Sequence, residues 1–181
     1  MKSAAFIVAL LGAESTGKTT LARDLGAALA ARGDEVIVAG EVLREFSDKH
    51  GRTPRRDEQR GIAAAQTRRI ETAAGQASVV IADTTALMIA VYSELVFGDP
   101  GLYDDALAAQ RHCDLTLVTA LDLPWQADGL QRDGEHVRGP VDTLIRAALD
   151  RAGIAFTTIV GTGPDRLDAA LRAIDRARAQ A

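Results

Sequence analysis

The residues with the clearest chemistry are GAESTGKT, from Gly12 to Thr19, which fit the phosphate-binding pattern G-x-x-x-x-G-K-[S/T]. Glycine lets the backbone turn tightly and approach phosphate groups with no side chain in between. Lys18 places a positive charge on the β- and γ-phosphates of a nucleotide, and Thr19 offers a hydroxyl ligand to Mg²⁺. The pattern therefore predicts a P-loop that binds a nucleoside triphosphate with Mg²⁺.

The segments on either side of this loop support the assignment. SAAFIVALL, just before it, predicts a buried strand, and TLARDLGAALAARG, just after it, predicts a helix. A helix that begins at the loop directs its unpaired N–H groups and the positive end of its dipole at the anion. The alternative is a glycine-rich strand–helix turn with an exposed lysine, and the strand–loop–helix context disfavours it.

A second motif, VVIADTT at 79–85, is typical of a Walker B strand that ends in a carboxylate. Asp83 would hold Mg²⁺ directly or through water, together with Thr19. The alternative is a simple turn residue, since strands often end in aspartate. Thr84 and Thr85 follow Asp83 where many ATP-hydrolysing motors have a glutamate, which favours phosphoryl transfer to a bound acceptor.

The identity of the nucleotide is suggested by a motif that the chain lacks. It contains no N-K-x-D or T-K-x-D sequence for reading guanine, and the segment TALD at 119–122 has the expected place but no lysine. The sequence therefore predicts ATP as the nucleotide.

GEVLREF at 40–46 follows the second predicted strand and supplies candidate residues for an acceptor substrate. Glu41 could orient an acceptor hydroxyl and accept its proton, and Arg44 could bind an acceptor phosphate. Glu45 and Asp57 are further carboxylate candidates for this side of the site. The alternative is an ordinary surface ion pair, because Glu41 and Arg44 are three residues apart on a helix.

A polar stretch near 125–139 predicts a mobile lid over the nucleotide. Arg132 and Arg138 could swing over the triphosphate and stabilise charge on the transferring phosphoryl group. A solvated loop is the alternative for either arginine. Another basic run, with arginines at 55, 56, 60, 68 and 69, is interleaved with acidic residues, which favours a solvated helix face.

Strands and helices alternate along the chain, which predicts a parallel sheet covered on both faces by helices. We expect an α/β fold of the P-loop NTPase type, a three-layer αβα sandwich around a five-stranded sheet, in a single domain over 1–181. The predicted strands are 4–11, 35–39, 78–82, 114–119 and 154–160. The predicted helices are 18–32, 41–49, 56–76, 86–97, 102–111, 140–152 and 165–179.

Composition limits the partners and the location. The net charge of −4 gives no indication of a nucleic-acid partner. No stretch reaches the ~18 apolar residues of a membrane span, so no membrane partner is expected and the predicted location is cytoplasmic. Cys113 is the one cysteine, which excludes an internal disulfide and a cysteine metal cluster.

Taken in order, GAESTGKTTLA, GEVLREF, the stretch 57–66, VVIADTT and WQADGLQR resemble the kinase domain of the NadR proteins, ribosylnicotinamide kinases of the P-loop nucleoside and nucleotide kinase superfamily. The resemblance implies Asp83 near Mg²⁺, Glu41 and Arg44 at a nucleoside-like acceptor, and Arg132 in the lid. The aromatic side chains that flank the substrate ring in that family are not evident beside Glu41 or Gln66, so no aromatic sandwich is expected. The residues that the resemblance places at ATP are Gly12, Ala13, Glu14, Ser15, Thr16, Gly17, Lys18, Thr19 and Thr20.

These features predict an ATP- and Mg²⁺-dependent kinase that phosphorylates a hydroxyl of a small molecule, most similar to a ribosylnicotinamide kinase. One alternative is a nucleotide-dependent regulatory ATPase or switch that binds a protein partner. A second is a nucleoside-monophosphate kinase, which would need Arg44 and the arginines at 55–69 to face the acceptor pocket.

Overall fold

The structure is a computed structural model that describes residues 4–126 and 134–180. Strands and helices alternate along most of the chain, and a short 3₁₀ helix (Glu135–Val137) precedes α6. The strands are β1 (Phe6–Leu11), β2 (Val36–Ala39), β3 (Val79–Asp83), β4 (Leu115–Thr119) and β5 (Thr157–Ile159). The helices are α1 (Lys18–Ala31), α2 (Val42–His50), α3 (Arg56–Ala74), α4 (Ala86–Phe97), α5 (Tyr103–Gln110), α6 (Arg138–Arg151) and α7 (Gly163–Arg178).

The strands form one five-stranded sheet in the order β2-β3-β1-β4-β5, and every pairing is parallel. Leu10 of β1 is in register with Asp83 of β3 and with Leu117 of β4. The carboxyl ends of all strands therefore lie at one edge of the sheet. The segments that leave this edge are the P-loop, the start of α2, the turn after Asp83 and the segment after β4.

Helices cover both faces because the strands are apolar on both. Val8 and Leu10 pack with α1 and α7 on one face, in a cluster that includes Leu25 and Ile174. Leu11, on the opposite face, packs in a cluster that contains residues of α3, α4, α5 and α6. Helix α4 is apolar around most of its circumference, and residues 86–91 are buried. Burial of this kind stabilises the fold by ~25 cal/mol per Å² of apolar surface.

The predicted α/β fold is confirmed, with each predicted strand and helix present in the expected order. The largest difference is at the last strand, predicted over 154–160 and observed only over Thr157–Ile159. β5 is an edge strand that pairs only with β4, from Leu117↔Thr157 to Thr119↔Ile159, so its length is set by that partner. No helix in the described part of the chain is long and apolar enough to cross a membrane.

Candidate functional site

A cavity of about 780 Å³ lies at the carboxyl edge of the sheet. This volume is within the range of small-molecule sites. One wall, called the loop side here, consists of residues 14–20 together with Leu123, Pro124 and Gln126. The other wall, called the helical side, is formed by α2, the α2–α3 connection, α3, the turn after β3 and α4. Its residues are Glu41, Leu43, Arg44, Thr53, Pro54, Gln59, Thr84, Met88, Tyr92, Val96 and Phe97.

Two glycines shape the loop side as the sequence predicts. Gly12 has φ +150°, and a Cβ there would lie 2.0 Å from Thr119 Oγ1. Gly17, with φ +74°, is the N-cap of α1, and a Cβ there would lie 2.9 Å from Leu123 Cδ1. The positive φ would strain a larger residue at both positions, and at Gly12 its Cβ would also overlap Thr119. Within the described residues no side chain caps α1, and the N-terminus of a helix is a favourable place for a bound anion.

Hydrogen bonds within the loop fix its shape. Thr119 Oγ1 donates to Thr16 Oγ1 at 2.7 Å, and Thr16 Oγ1 donates to the Ala13 carbonyl at 2.7 Å. Lys18 Nζ donates to the same carbonyl at 2.8 Å. Ser15, at φ +53°, donates from Oγ to Gln126 O at 2.7 Å. These contacts join the P-loop to the segment after β4 and hold Lys18 folded against the cradle.

A buried arginine of α7 supports the loop side from behind. Arg166 is 4% exposed and donates from Nη2 to Thr16 O and from Nη1 to Asp122 Oδ1, both at 2.8 Å. Asp122 Oδ2 accepts the Gly161 N–H at 2.6 Å. Partial burial raises the pKa of Asp122, but the bonds from Arg166 and Gly161 outweigh it and lower the pKa. Both carboxylate oxygens of Asp122 are thus engaged in bonds within the protein.

Asp83 lies at the end of β3, 4% exposed, next to the strand that leads into the P-loop. Its Oδ1 atom has no hydrogen-bond partner within the described part of the chain. An orphaned carboxylate oxygen in this place suits a hard cation such as Mg²⁺. Thr19, the second residue of α1, lines the cavity and could supply the hydroxyl ligand. The residues present therefore fit a Mg²⁺ ion.

Glu41 and Arg44 line the helical side as predicted, with Arg44 Nε 3.9 Å from Glu41 Oε2. Glu41 is the N-cap residue of α2, so the end of β2 directs it to the carboxyl edge of the sheet. The sequence predicts no aromatic sandwich beside Glu41 or Gln66; two aromatic residues of α4, Tyr92 and Phe97, do line this cavity. The Tyr92 hydroxyl donates to Glu14 Oε1 at 3.3 Å and so connects the two walls.

Two further carboxylates from the sequence are not brought to this cavity. Glu45 forms a two-pronged ion pair with Arg69 of α3, and that bond lowers the pKa of Glu45. Asp57 lies exposed in the first turn of α3 and is not among the lining residues. Its assignment to substrate binding stays a prediction, without support from its position.

The basic run of α3 also lies away from the cavity. Arg56 pairs with Asp99 and Arg60 with Asp105, which ties α3 to the α4–α5 region. Among the described residues that line the cavity, Arg44 is the arginine present. The interpretation of the run as a helix face therefore agrees with the structure. The arrangement that a nucleoside-monophosphate kinase would need is not found.

The predicted lid arginines have different outcomes. Arg132 lies outside the described residues, so its role stays a prediction. Arg138 is buried at the start of α6, and its Nη2 donates to the Leu123 carbonyl at 2.9 Å. Because that bond holds Arg138 beneath the segment after β4, it acts in this structure as a support rather than as a lid residue.

Comparison with known proteins places this fold. A family model described as AAA domain matches residues 7–166. The chain belongs to this AAA domain family. No curated protein matches the sequence significantly.

Two crystal structures of NadR protein share the architecture of this AAA domain. One, in complex with NAD and AMP-PNP, has a TM-score of 0.74 at 20% identity, covering 95% of this chain and 49% of that one. The other, in complex with NR, has a TM-score of 0.77 at 18% identity, covering 95% and 50%. This chain thus spans about half the length of either relative. The resemblance to NadR inferred from motifs is confirmed at the level of the fold.

Several residues of the cavity were missed by sequence reasoning. Tyr92 and Phe97 belong to a helix whose apolar pattern predicts only core. Thr53, Pro54 and Gln59 lie in or beside a charged stretch. Their common feature is that they reach the cavity only after α2, α3 and α4 pack together, so no short motif marks them.

Proposed function

We propose that this AAA domain is an ATP- and Mg²⁺-dependent kinase that transfers the γ-phosphoryl group of ATP to a hydroxyl group of a nucleoside-like acceptor, of the ribosylnicotinamide type. The observation that carries the proposal is the single cavity shared by the P-loop and by Glu41, Arg44, Tyr92 and Phe97. A kinase needs both substrates in one enclosed space, because positioning is most of its catalysis.

On the loop side, the residues proposed for ATP are those that form the cradle. The N–H groups at the start of α1 and the Lys18 ammonium would bind the phosphates. Thr19 and Asp83 would hold Mg²⁺, which when bound neutralises charge on the β- and γ-phosphates. Arg132 is kept as a proposed charge-stabilising residue on sequence grounds alone.

On the helical side, Glu41 would accept the proton of the acceptor hydroxyl while the hydroxyl oxygen forms a bond to the γ-phosphorus of ATP. The bond between that phosphorus and the β–γ bridging oxygen breaks, and ADP leaves. Tyr92 and Phe97 offer aromatic surface to a planar heterocyclic ring. The NadR relatives, crystallised with AMP-PNP, NAD and NR, support this choice of ligand class.

The experiment is a mass-spectrometric screen with ATP, Mg²⁺ and single acceptors. The panel contains nicotinamide riboside, the common nucleosides and the nucleoside monophosphates. We expect a phosphorylated nucleoside and an equal amount of ADP. Lys18→Ala is the control and should lose the product. Slow ATP hydrolysis with no phosphorylated acceptor would favour the regulatory ATPase, and a nucleoside diphosphate product would favour the monophosphate kinase.

A further inference from the structure

Gln66 of α3 is fully buried and does not line the cavity. Its side-chain amide nevertheless contacts three backbone groups at the edge of the sheet where the cavity lies. Two of these groups belong to the segment after β2, and the third belongs to the turn after β3. A single neutral side chain therefore joins the two segments that carry Glu41 and Asp83.

The contacts on the first segment flank Glu41 on both sides. Gln66 Oε1 accepts the Val42 N–H at 2.8 Å, and Gln66 Nε2 donates to the Gly40 carbonyl at 3.2 Å. The Val42 N–H is the first of α2 and has no partner within its own helix. The amide orientation is fixed by chemistry, because an NH₂ group facing Val42 would meet another donor. The two neighbours of Glu41 in the chain, Gly40 and Val42, are thus both held by hydrogen bonds to Gln66.

The third contact holds the turn that follows Asp83. Gln66 Nε2 donates to the Thr84 carbonyl at 3.4 Å, and the Thr84 N–H donates to Leu10 O at 3.2 Å. Thr84 has φ +82°, which is an outlier for a β-branched residue. Such a conformation persists only where its surroundings determine it. Gln66 and β1 are two of those determinants.

We propose that Gln66 is a positioning residue, which fixes the Glu41 carboxylate and the Asp83–Thr84 turn relative to each other without touching substrate. The inference rests on the proposed function, and it adds a residue for which the sequence suggested no role. Only an amide has the required pattern, an acceptor for Val42 and two donors for Gly40 and Thr84. A displacement of about 1 Å at a reacting group can cost ~10²-fold in rate.

The test combines hydrogen exchange with a double-mutant cycle. Gln66→Met keeps the length and removes all three bonds, whereas Gln66→Glu keeps the acceptor and loses both donors. Gln110→Met is the matched control. Gln110 is equally buried, and it bonds Thr85 Oγ1 at 2.7 Å and Thr116 Oγ1 at 2.9 Å, away from Glu41.

We expect Gln66→Met to speed exchange of the Val42 and Thr84 amides, to lower kcat by ~10–100-fold, and to leave the KM for ATP unchanged. Gln66→Glu should not restore activity, because its second carboxylate oxygen would face the Gly40 and Thr84 carbonyls, which need donors. In the Glu41→Gln background, Gln66→Met should lower kcat by a smaller factor than in the wild type, because part of its effect passes through Glu41 and the rest through the Thr84 turn. Gln110→Met should leave exchange at Val42 unchanged and should lower kcat by less than Gln66→Met, because its partner Thr85 lies beside the Thr84 turn but not beside Glu41.

Two outcomes would overturn the inference: unchanged exchange at Val42 and Thr84, or the same loss of kcat with and without the Glu41 carboxylate. If the wild-type chain phosphorylates no acceptor, the proposed kinase function fails. The exchange data then still decide whether Gln66 fixes the two segments, so the two failures are distinguishable.

Discussion

The loop side and the helical side of the cavity are built by different means. The main part of the loop side, residues 14–20, is contiguous in sequence. Its shape comes from backbone conformation at Gly12, Ser15 and Gly17, and bonds to distant residues such as Thr119 and Arg166 support it. The helical side is assembled from α2, α3 and α4, and the bonds that hold it link residues 18 to 26 positions apart. The residues of a contiguous loop are therefore visible as one short motif, whereas the residues of an assembled wall come together only after the helices pack.

Each side has a support behind it that matches its chemistry. The loop side, which would bind a highly charged anion, is supported by the charged Arg166 through Thr16 O. The helical side is supported by the neutral Gln66 amide through Gly40, Val42 and Thr84. Substitution of one support should therefore change the binding or reaction of one substrate and leave that of the other unchanged.

The largest expected effect is on the helical side. We expect Glu41→Gln to lower phosphoryl transfer by ~10²–10⁴-fold, the usual contribution of a positioned acid–base group. ATP affinity should stay near wild type, because the P-loop is untouched. Glu45→Gln is the matched control, since Glu45 lies on the same helix and pairs with Arg69 instead. Transfer rates and ATP titrations on both variants measure the difference.

Full activity in Glu41→Gln would remove Glu41 from the chemistry. It would leave the Glu41–Arg44 contact as a surface ion pair, whose loss costs under about 1 kcal/mol. The helical side would then be a cavity wall without an assigned function, beside the proposed nucleotide site.

The same difference explains what the sequence could predict. The order of strands and helices follows from alternating apolar runs, and the P-loop follows from eight contiguous residues, Gly12 to Thr19. Asp83 and Glu41 could be found because Asp83 ends β3 and Glu41 follows β2 by two residues, and parallel strands share their carboxyl edge. The positions of Tyr92, Phe97 and Gln66 could not be found from the sequence, because they depend on which helix packs beside which strand.

The second-largest effect is expected from a substitution of Asp83. We expect Asp83→Asn to raise the Mg²⁺ concentration needed for half-maximal activity by about 10–100-fold. An amide oxygen is a poorer ligand for a hard cation than the unpartnered carboxylate oxygen of Asp83. Binding of ATP without metal should change little and provides the internal reference. Mg²⁺ titrations of activity, with metal-free nucleotide binding, measure the two. An equal loss of both would assign Asp83 a structural role instead.

A smaller effect is expected from the support of the loop side. Arg166→Met should raise the Kd for ATP about tenfold, which is 1.4 kcal/mol, because Thr16 O and Asp122 lose a buried charged donor. The KM for the acceptor should not change. Arg178→Met is the control, because Arg178 is on the same helix and pairs with Asp34, away from the cavity. A change in acceptor KM with constant ATP affinity would contradict the division into two supports.

The smallest effect involves an ion pair beside the helical side. Arg52 forms a two-pronged pair with Glu58, both bonds 2.7 Å, and also donates to the Thr53 carbonyl at 3.0 Å. Glu58 in turn accepts the Arg55 N–H at 2.7 Å. These contacts fix the α2–α3 connection, in which Thr53 and Pro54 line the cavity. The bond from Arg52, followed by that from the Arg55 N–H, lowers the pKa of Glu58 from 4.5 to about 2.

Because folding lowers this pKa, the ionised carboxylate stabilises the folded chain above pH 4.5, and the contribution is lost as the pH falls toward 2. We therefore expect Glu58→Gln to lower the melting temperature slightly at neutral pH, because the pair is exposed to solvent, with the gap from wild type closing in acid. Asp57→Asn, in the same helical turn, removes an equal charge without breaking the pair and should show no such closing gap. Melting curves of the three proteins between pH 2 and pH 7 measure this, and acceptor KM at neutral pH should rise in Glu58→Gln alone. A gap that is constant with pH would mean that the Arg52–Glu58 pair contributes no stability, and that packing alone fixes the connection on the helical side.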